Sequence, residues 1–244
     1  MTVLPLRLDP HVHSEGSYDA RVPVETILRR ARAVGLDAVV VTDHDELAYS
    51  LDAADRAPEF GLVGVPGVEV STAVGHLLAL GVEQCPEPGR SLPATVEQIR
   101  SQGGVAVVPH PFQRSRHGIH KRVIGDVDGI EVYNGFAMTG YQNRRAQRFA
   151  ARRGFPMVGG SDAHSPELIG RTHTEVVVET PVRHAVDVPP EAILDAIKTG
   201  ATRIEGRPSP VGRYVRKLAW HAEYRTSLAV RTRASALVGH LPLG

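Results

Sequence analysis

Five short segments, each closing an apolar run, carry histidines or carboxylates: Asp9-Pro10-His11-Val12-His13, Thr42-Asp43-His44, Gly67-Val68-Glu69, Val108-Pro109-His110-Pro111 and Ser161-Asp162-Ala163-His164. They are spread over most of a 244-residue chain. Segments so far apart can meet only in a fold that brings the ends of many strands to one face. Imidazoles mixed with carboxylates suit zinc, manganese or iron, whereas calcium and magnesium take mostly oxygen ligands. A multinuclear metallohydrolase is the expectation.

The rest of the pattern supplies such a fold. Leu6 to His13 reads as a first strand, and Pro23 opens a helix whose apolar face is Val24, Ile27, Leu28, Ala31 and Val34, ended by Gly35. Strands are expected at Ala38–Val41, Leu62–Val65, Val68–Val70, His76–Leu80, Val105–Val108, Gly129–Val132, Met157–Gly159 and Thr174–Val178. Helices are expected at about Glu46–Ala57, Ala94–Ser101, Tyr141–Arg153 and Pro190–Thr199. This βα alternation predicts a parallel sheet with right-handed crossovers. A closed barrel explains polar residues at many strand ends, because barrel active sites lie at the C-terminal ends of the strands. The runner-up is an open doubly wound sheet, but its Gly-rich phosphate turn after the first strand is absent.

Composition bounds the reading further. An apolar content of 42% and a charged content of 23% describe a chain able to bury a full core, and the length fits one large α/β domain. A single cysteine, Cys85, excludes an internal disulfide framework and a cysteine-based zinc site. Of 28 basic and 27 acidic residues, seven and one lie in residues 207–244, leaving 21 and 26 before them. Residues 1–206 are therefore read as an acidic catalytic body. Residues 207–244 are read as a basic, helical tail that docks on it or is partly disordered, with an anionic membrane or nucleic acid as the alternative contact. No run of 18 apolar residues and no basic-then-apolar N-terminus is present, so no transmembrane segment is expected and a cytoplasmic location is.

His11 and His13 stand two apart on an extended segment, so both imidazoles face one side, and Asp162 and His164 repeat the spacing. Any one of these histidines would by itself be read as structural. Together they resemble the polymerase and histidinol phosphatase (PHP) family of metallohydrolases, on Asp-x-His-x-His-Ser at 9–14, Thr-Asp-His at 42–44, Gly-Val-Glu at 67–69, His-Pro at 110–111 and Ser-Asp-Ala-His at 161–164. The resemblance implies a distorted (β/α)7 TIM-like barrel holding two or three divalent ions (Mn, Fe or Zn). It implies that His11, His13, Glu69 and Asp162 form one ligand set. Glu69 would bridge to a second ion held by His110 and His76, and Asp19, His44 and His164 would hold a third.

Clustered metals suit phosphoester hydrolysis because they lower the pKa of a bound water and neutralise charge on phosphate oxygens. The expected activity is hydrolysis of a phosphomonoester or phosphodiester: a small phosphorylated metabolite, a nucleotide or a short oligonucleotide. The segment Gln113–Arg122 is dense in cations. Arg114 and Arg116 are candidates to clamp a phosphate, and His117 is a candidate proton donor to the leaving oxygen. The alternatives are a metal-dependent hydrolase of a non-phosphate ester, amide or carbamate and, ranked behind it, a non-catalytic PHP module. Only 33 residues separate His76 from His110, too few for a capping domain, so the site is expected to be open.

Overall fold

A computed structural model of the chain describes residues 2–113, 116–137 and 140–207. Arg114 and, apart from Arg207, the basic tail lie outside these residues. Ten strands alternate with five helices: β1 (Thr2–Val12), α1 (Val24–Ala33), β2 (Ala38–Val41), α2 (Ala48–Arg56), β3 (Val63–Gly64), β4 (Gly67–Thr72), β5 (Gly75–Leu80), α3 (Leu92–Ser101), β6 (Val105–Val108), β7 (Gly129–Asn134), α4 (Gly140–Arg153), β8 (Met157–Gly160), β9 (Thr172–Thr180), α5 (Pro190–Thr199) and β10 (Thr202–Gly206). Among the described residues no helix is long and apolar enough to cross a membrane.

Local chemistry explains the boundaries. In α1, Val24, Ile27, Leu28 and Ala31 are buried, the spacing of one helical face. Gly35 ends that helix with φ +79°, and the next amide, from Leu36, donates back to the Ala31 carbonyl at 3.0 Å. The hydroxyl of Ser91 caps α3 by accepting from the Ala94 amide. Helix α2 starts at Ala48, later than expected, because Asp45 takes φ +54° and the Glu46 carboxylate accepts from the Ala48 amide at 2.8 Å.

The strands form two five-stranded sheets, in the orders β10-β9-β1-β2-β3 and β4-β5-β6-β7-β8. Both sheets are mixed, not parallel as expected. Pairs β1–β2, β2–β3, β6–β7 and β7–β8 are parallel, but β1–β9, β9–β10, β4–β5 and β5–β6 are antiparallel. The physical reason for β4–β5 is its two-residue connection, which can only make a hairpin. Strand β10 was not anticipated, because Thr-Arg-Ile-Glu-Gly at a sheet edge is mostly exposed and shows no apolar alternation. Strand β1 begins earlier than expected because β9 pairs with it from Thr2 to Leu8.

The sheets share a core. Leu8, Val40, Leu80, Val107, Val158 and Val176, from six strands across both sheets, lie in one buried cluster. At the strand ends, isolated bridges join Val12 to Ala163 and His44 to Glu69. One buried hydroxyl ties β2 to the start of β4: Ser50 Oγ donates to the Val41 carbonyl at 2.6 Å and accepts from the Gly67 amide at 2.8 Å. Replacing Ser50 with Ala strands that amide and that carbonyl, at a cost of about 1–3 kcal/mol. Chemical denaturation of Ser50→Ala should show that loss, whereas stability within error of the parent would contradict it.

Candidate metal centre

The ends of strands from both sheets deliver their polar residues to one volume. His11 lies in β1 and His13 just beyond it, with their Nε2 atoms 3.2 Å apart. The Thr42 amide donates to the Val12 carbonyl at 2.8 Å, carrying the chain past β2 to His44 beside them. In the β4–β5 hairpin Glu69 pairs with Leu78, and His76 is two residues from Leu78, so Glu69 and His76 share a face. His110 and Asp162 each stand two residues past a strand end, β6 and β8.

Glu69 is the hub. Its Oε2 lies 3.3 Å from the Nε2 atoms of His11 and His13 and 3.4 Å from His44 Nδ1. Its Oε1 lies 2.9 Å from His76 Nδ1 and 3.0 Å from His110 Nε2. Asp162 Oδ1 is 3.5 Å from His13 Nε2 and 3.4 Å from His164 Nδ1. Asp19 Oδ2 is 2.9 Å from His164 Nε2 and 3.7 Å from His44 Nε2. All nine expected ligands are thus brought together. In four overlapping groups (His11, Glu69, His110; His11, His13, Asp162; His13, Asp19, His164; His13, His44, Glu69) the donor atoms lie within 4.8 Å of one another.

The chemistry of this set fits divalent ions. His44 Nδ1 and Asp162 Oδ1 are buried, face the cluster and make no hydrogen bond among the described residues. Lone pairs left this way are costly unless something positive satisfies them. Backbone strain points the same way. His110 (φ +28°) and Asp162 (φ +53°) occupy conformations that non-glycine residues rarely adopt. They are held there by hydrogen bonds from the Asp162 amide to the His11 carbonyl and from the His110 amide to Glu131 Oε2, both 2.8 Å.

Glu131 is the main residue whose role the sequence did not disclose. Buried in β7, it places Oε1 3.0 Å from His11 Nδ1, while Oε2 accepts from the His110 amide and from Asn134 Nδ2, each at 2.8 Å. Occupying Nδ1 of His11 leaves its Nε2 lone pair for the cluster, the usual way a carboxylate orients a metal-binding imidazole. Gly160 permits this approach, since a Cβ there would sit 2.7 Å from both Glu131 Oε1 and His11 Cβ. Asn134 Nδ2 also donates to Asp162 Oδ2 at 2.8 Å. The available signal was an acid in the middle of the apolar run Ile130-Glu131-Val132. Asp43 does not cap α2. It accepts from the Ser14 amide at 2.6 Å and from the Ser14 hydroxyl, fixing the turn after His13.

Two residues of the cationic segment reach the site. The Arg116 guanidinium pairs with Asp162 Oδ2 and donates to Asn134 Oδ1 at 3.0 Å, with its side chain only 13% exposed. His117 stacks its ring on His76 at 5.0 Å. At the rim, the half-exposed Tyr18 stacks on His44 at 4.7 Å.

Burial opposes charge on these groups, and mutual pairing overrides it. Against burial, Asp162, Glu131 and Glu69 hold His11 well above the ordinary imidazole value. His13, also against burial, is raised to about 9, chiefly by the Asp162 and Glu69 carboxylates beside its Nε2. Burial would lift Glu69 and Asp162, but His44 and His76 beside the first, and Arg116 and His11 beside the second, hold both well below the carboxylate range. His110 goes the other way, pushed to about 4 by burial and by Arg116. Burial, with His76 and His44 nearby, lowers His117.

The chain resembles known proteins in sequence and in fold. A family model described as PHP domain matches residues 9–119, and one described as PHP-associated matches residues 140–202. The uncharacterized protein MJ1587 of Methanocaldococcus jannaschii is 29% identical over 152 residues, 58% of this chain and 89% of that protein. A two-domain protein from Bacteroides vulgatus, described as containing a predicted PHP-like metal-dependent phosphoesterase, superposes with TM-score 0.67 at 21% identity, over 84% of this chain. This chain spans 66% of that longer protein. Endonuclease Q, solved with a 27-mer duplex substrate carrying an abasic lesion, gives TM-score 0.55 at 18% identity, over 84% of this chain and 60% of its own. At these identities the two structural likenesses are likenesses of fold.

A pH dependence follows from the pairing. In chelator, His11 and His13 contribute stability below about pH 6.5, the unfolded value, and His13 loses its share as pH rises towards 9. His110, pushed to about 4, has finished titrating below that window, and Asp9, raised to about 6 by burial, loses its last protons at the window's lower edge, which also lowers stability as pH rises. Denaturation in chelator should therefore show lower stability at pH 9 than at pH 6.5. Equal or greater stability at pH 9 would contradict the pairing.

Proposed function

We propose that this chain, matched by the PHP domain model over residues 9–119 and by the PHP-associated model over residues 140–202, is a metal-dependent phosphoesterase hydrolysing a phosphomonoester or phosphodiester at the cluster around Glu69. The observation that carries the reading is the division of Glu69 between two sets of imidazoles, one at each carboxylate oxygen. That division suits a carboxylate bridging two ions. His11, His13, Glu69 and Asp162 would hold one, and Glu69, His76 and His110 a second. Asp19, His44 and His164 would hold a third. In this reading the two sheets are the halves of a distorted barrel whose catalytic face carries all nine residues.

Divalent ions bound there would activate a water as nucleophile and neutralise charge building on the phosphate oxygens. The protein's own groups do the rest. Glu131 orients His11 and pins the His110 backbone, and Asn134 with Arg116 holds Asp162 Oδ2 so that Oδ1 faces the cluster. Arg116 also keeps a permanent positive charge beside the site, which favours an anionic substrate over a neutral ester or amide. His117 is assigned to protonating the leaving oxygen, and its lowered pKa restricts that role to the acid side of neutrality. Arg114 is assigned to the substrate phosphate on sequence grounds alone. The names of the structural neighbours, a PHP-like phosphoesterase and an endonuclease, support phosphoester chemistry.

The test is turnover of chromogenic phosphomonoesters and phosphodiesters with added manganese, zinc or iron. His13→Ala and Asp162→Ala should abolish it while remaining folded by circular dichroism, because ligands at strand ends are separable from the core. Near-parent turnover in either variant would remove that residue from the site. Glu131→Gln should keep the fold and weaken metal affinity roughly 10–100-fold, measured by competition with a chelating dye. Parent-like affinity would leave Glu131 without the orienting role.

A further inference from the structure

The helix that follows the Glu131 strand has an unusual charge distribution. Helix α4 contains Arg144, Arg145, Arg148, Arg152 and Arg153 and not one acidic residue, within a body where acids outnumber bases. Arg144, Arg148 and Arg152 are exposed and follow one another at four-residue intervals, so they form a single stripe. Among the described residues none of the five pairs with a carboxylate. Arg145 and Arg153 instead lie over aromatic rings, Arg145 at 5.2 Å from Phe112 and Arg153 at 5.9 Å from Phe149.

Helix stability does not explain this pattern. Like charges at i, i+4 oppose one another by about 0.2–0.5 kcal/mol a pair. Arginines in the first turns also face the positive end of the helix dipole, where acids are favoured. Only Arg152 and Arg153, in the last turn, complement the dipole. The stripe therefore carries an uncompensated positive potential that an external polyanion would neutralise.

Its position connects it to the candidate centre. The Asn143 side chain clasps the backbone of Asn134, accepting from its amide at 3.2 Å and donating to its carbonyl at 3.1 Å. Asn134 in turn donates to Asp162. Arg144, next to Asn143, thus begins the stripe two hydrogen-bonded residues from a proposed metal ligand. The stripe then runs away along the helix, advancing about 6 Å per arginine at 1.5 Å per residue, a step similar to that between successive phosphates of an extended strand.

We propose that the Arg144–Arg148–Arg152 stripe is a nucleic-acid backbone track, which holds a single strand so that one of its phosphoester groups enters the Glu69 cluster. The substrate class is then an oligonucleotide rather than a small metabolite. This rests on the phosphoesterase reading for the cutting, though not for the binding.

The experiment compares the full-length protein with the variant carrying Arg144→Gln, Arg148→Gln and Arg152→Gln. Anisotropy of a labelled single-stranded 20-mer in chelator reads binding without cleavage, and a small chromogenic phosphodiester with metal reads chemistry. The variant should bind the 20-mer roughly tenfold or more weakly, and its log–log salt slope should be shallower by about 2, at ~0.7 per lost phosphate contact. Small-diester turnover should stay at the parent level, which also shows that the variant is folded. Unchanged 20-mer affinity and salt slope would overturn the proposal. So would 20-mer binding that survives while binding to phosphatidylserine vesicles is lost. Absence of small-diester turnover in the parent would instead overturn the phosphoesterase reading and leave the binding result to decide the track by itself.

Discussion

A carboxylate 1% exposed and within 3.4 Å of five imidazoles is the constraint on which this structure turns. Isolated, a buried Glu69 would be protonated rather than charged. The surrounding histidines reverse that, and they can do so only by carrying positive charge or by sharing a cation. Without ions the cluster must bind protons, which is why His11 and His13 are held above the ordinary imidazole range. With ions the same lone pairs become ligands and those protons leave, so ion binding and proton release are one equilibrium.

The architecture follows from the need to converge on that carboxylate. Parallel pairs such as β1–β2 and β6–β7 send successive strand ends to the same face. The β4–β5 hairpin achieves what a parallel crossover would not, setting Glu69 and His76 on one face across a two-residue turn. The strained backbones of His110 and Asp162 show how far the scaffold holds these residues out of relaxed conformations. That strain persists because Glu131, Asn134 and the His11 carbonyl hold those segments from behind.

Much of this was legible in the sequence because its signals are local. A His-x-His on an extended run, or a histidine just past four apolar residues, announces both its element and its direction. The five helices fell close to their expected places because amphipathic spacing, Pro23 and Gly35 mark them chemically, although α3 starts at Leu92, ahead of its expected place, where Ser91 caps it. Strand direction was not legible, since it is set by the strand that lies alongside, β1 beside β9 and β7 beside β8, and that partner is remote in sequence. Edge strand β10 left no pattern because it buries little. The work of Glu131 and Asn134 lies in contacts with His11, His110 and Asp162 that are remote in sequence, so residue type and position alone did not disclose it.

The number of ions the cluster holds is its most direct signature. Elemental analysis of the metal-replete protein, after removal of loosely held ions, measures this without reference to any substrate. Nine donor residues, the divided Glu69 among them, predict at least two equivalents of manganese, iron or zinc per chain, because one ion takes only about four to six ligands. Less than about one equivalent per chain would contradict it.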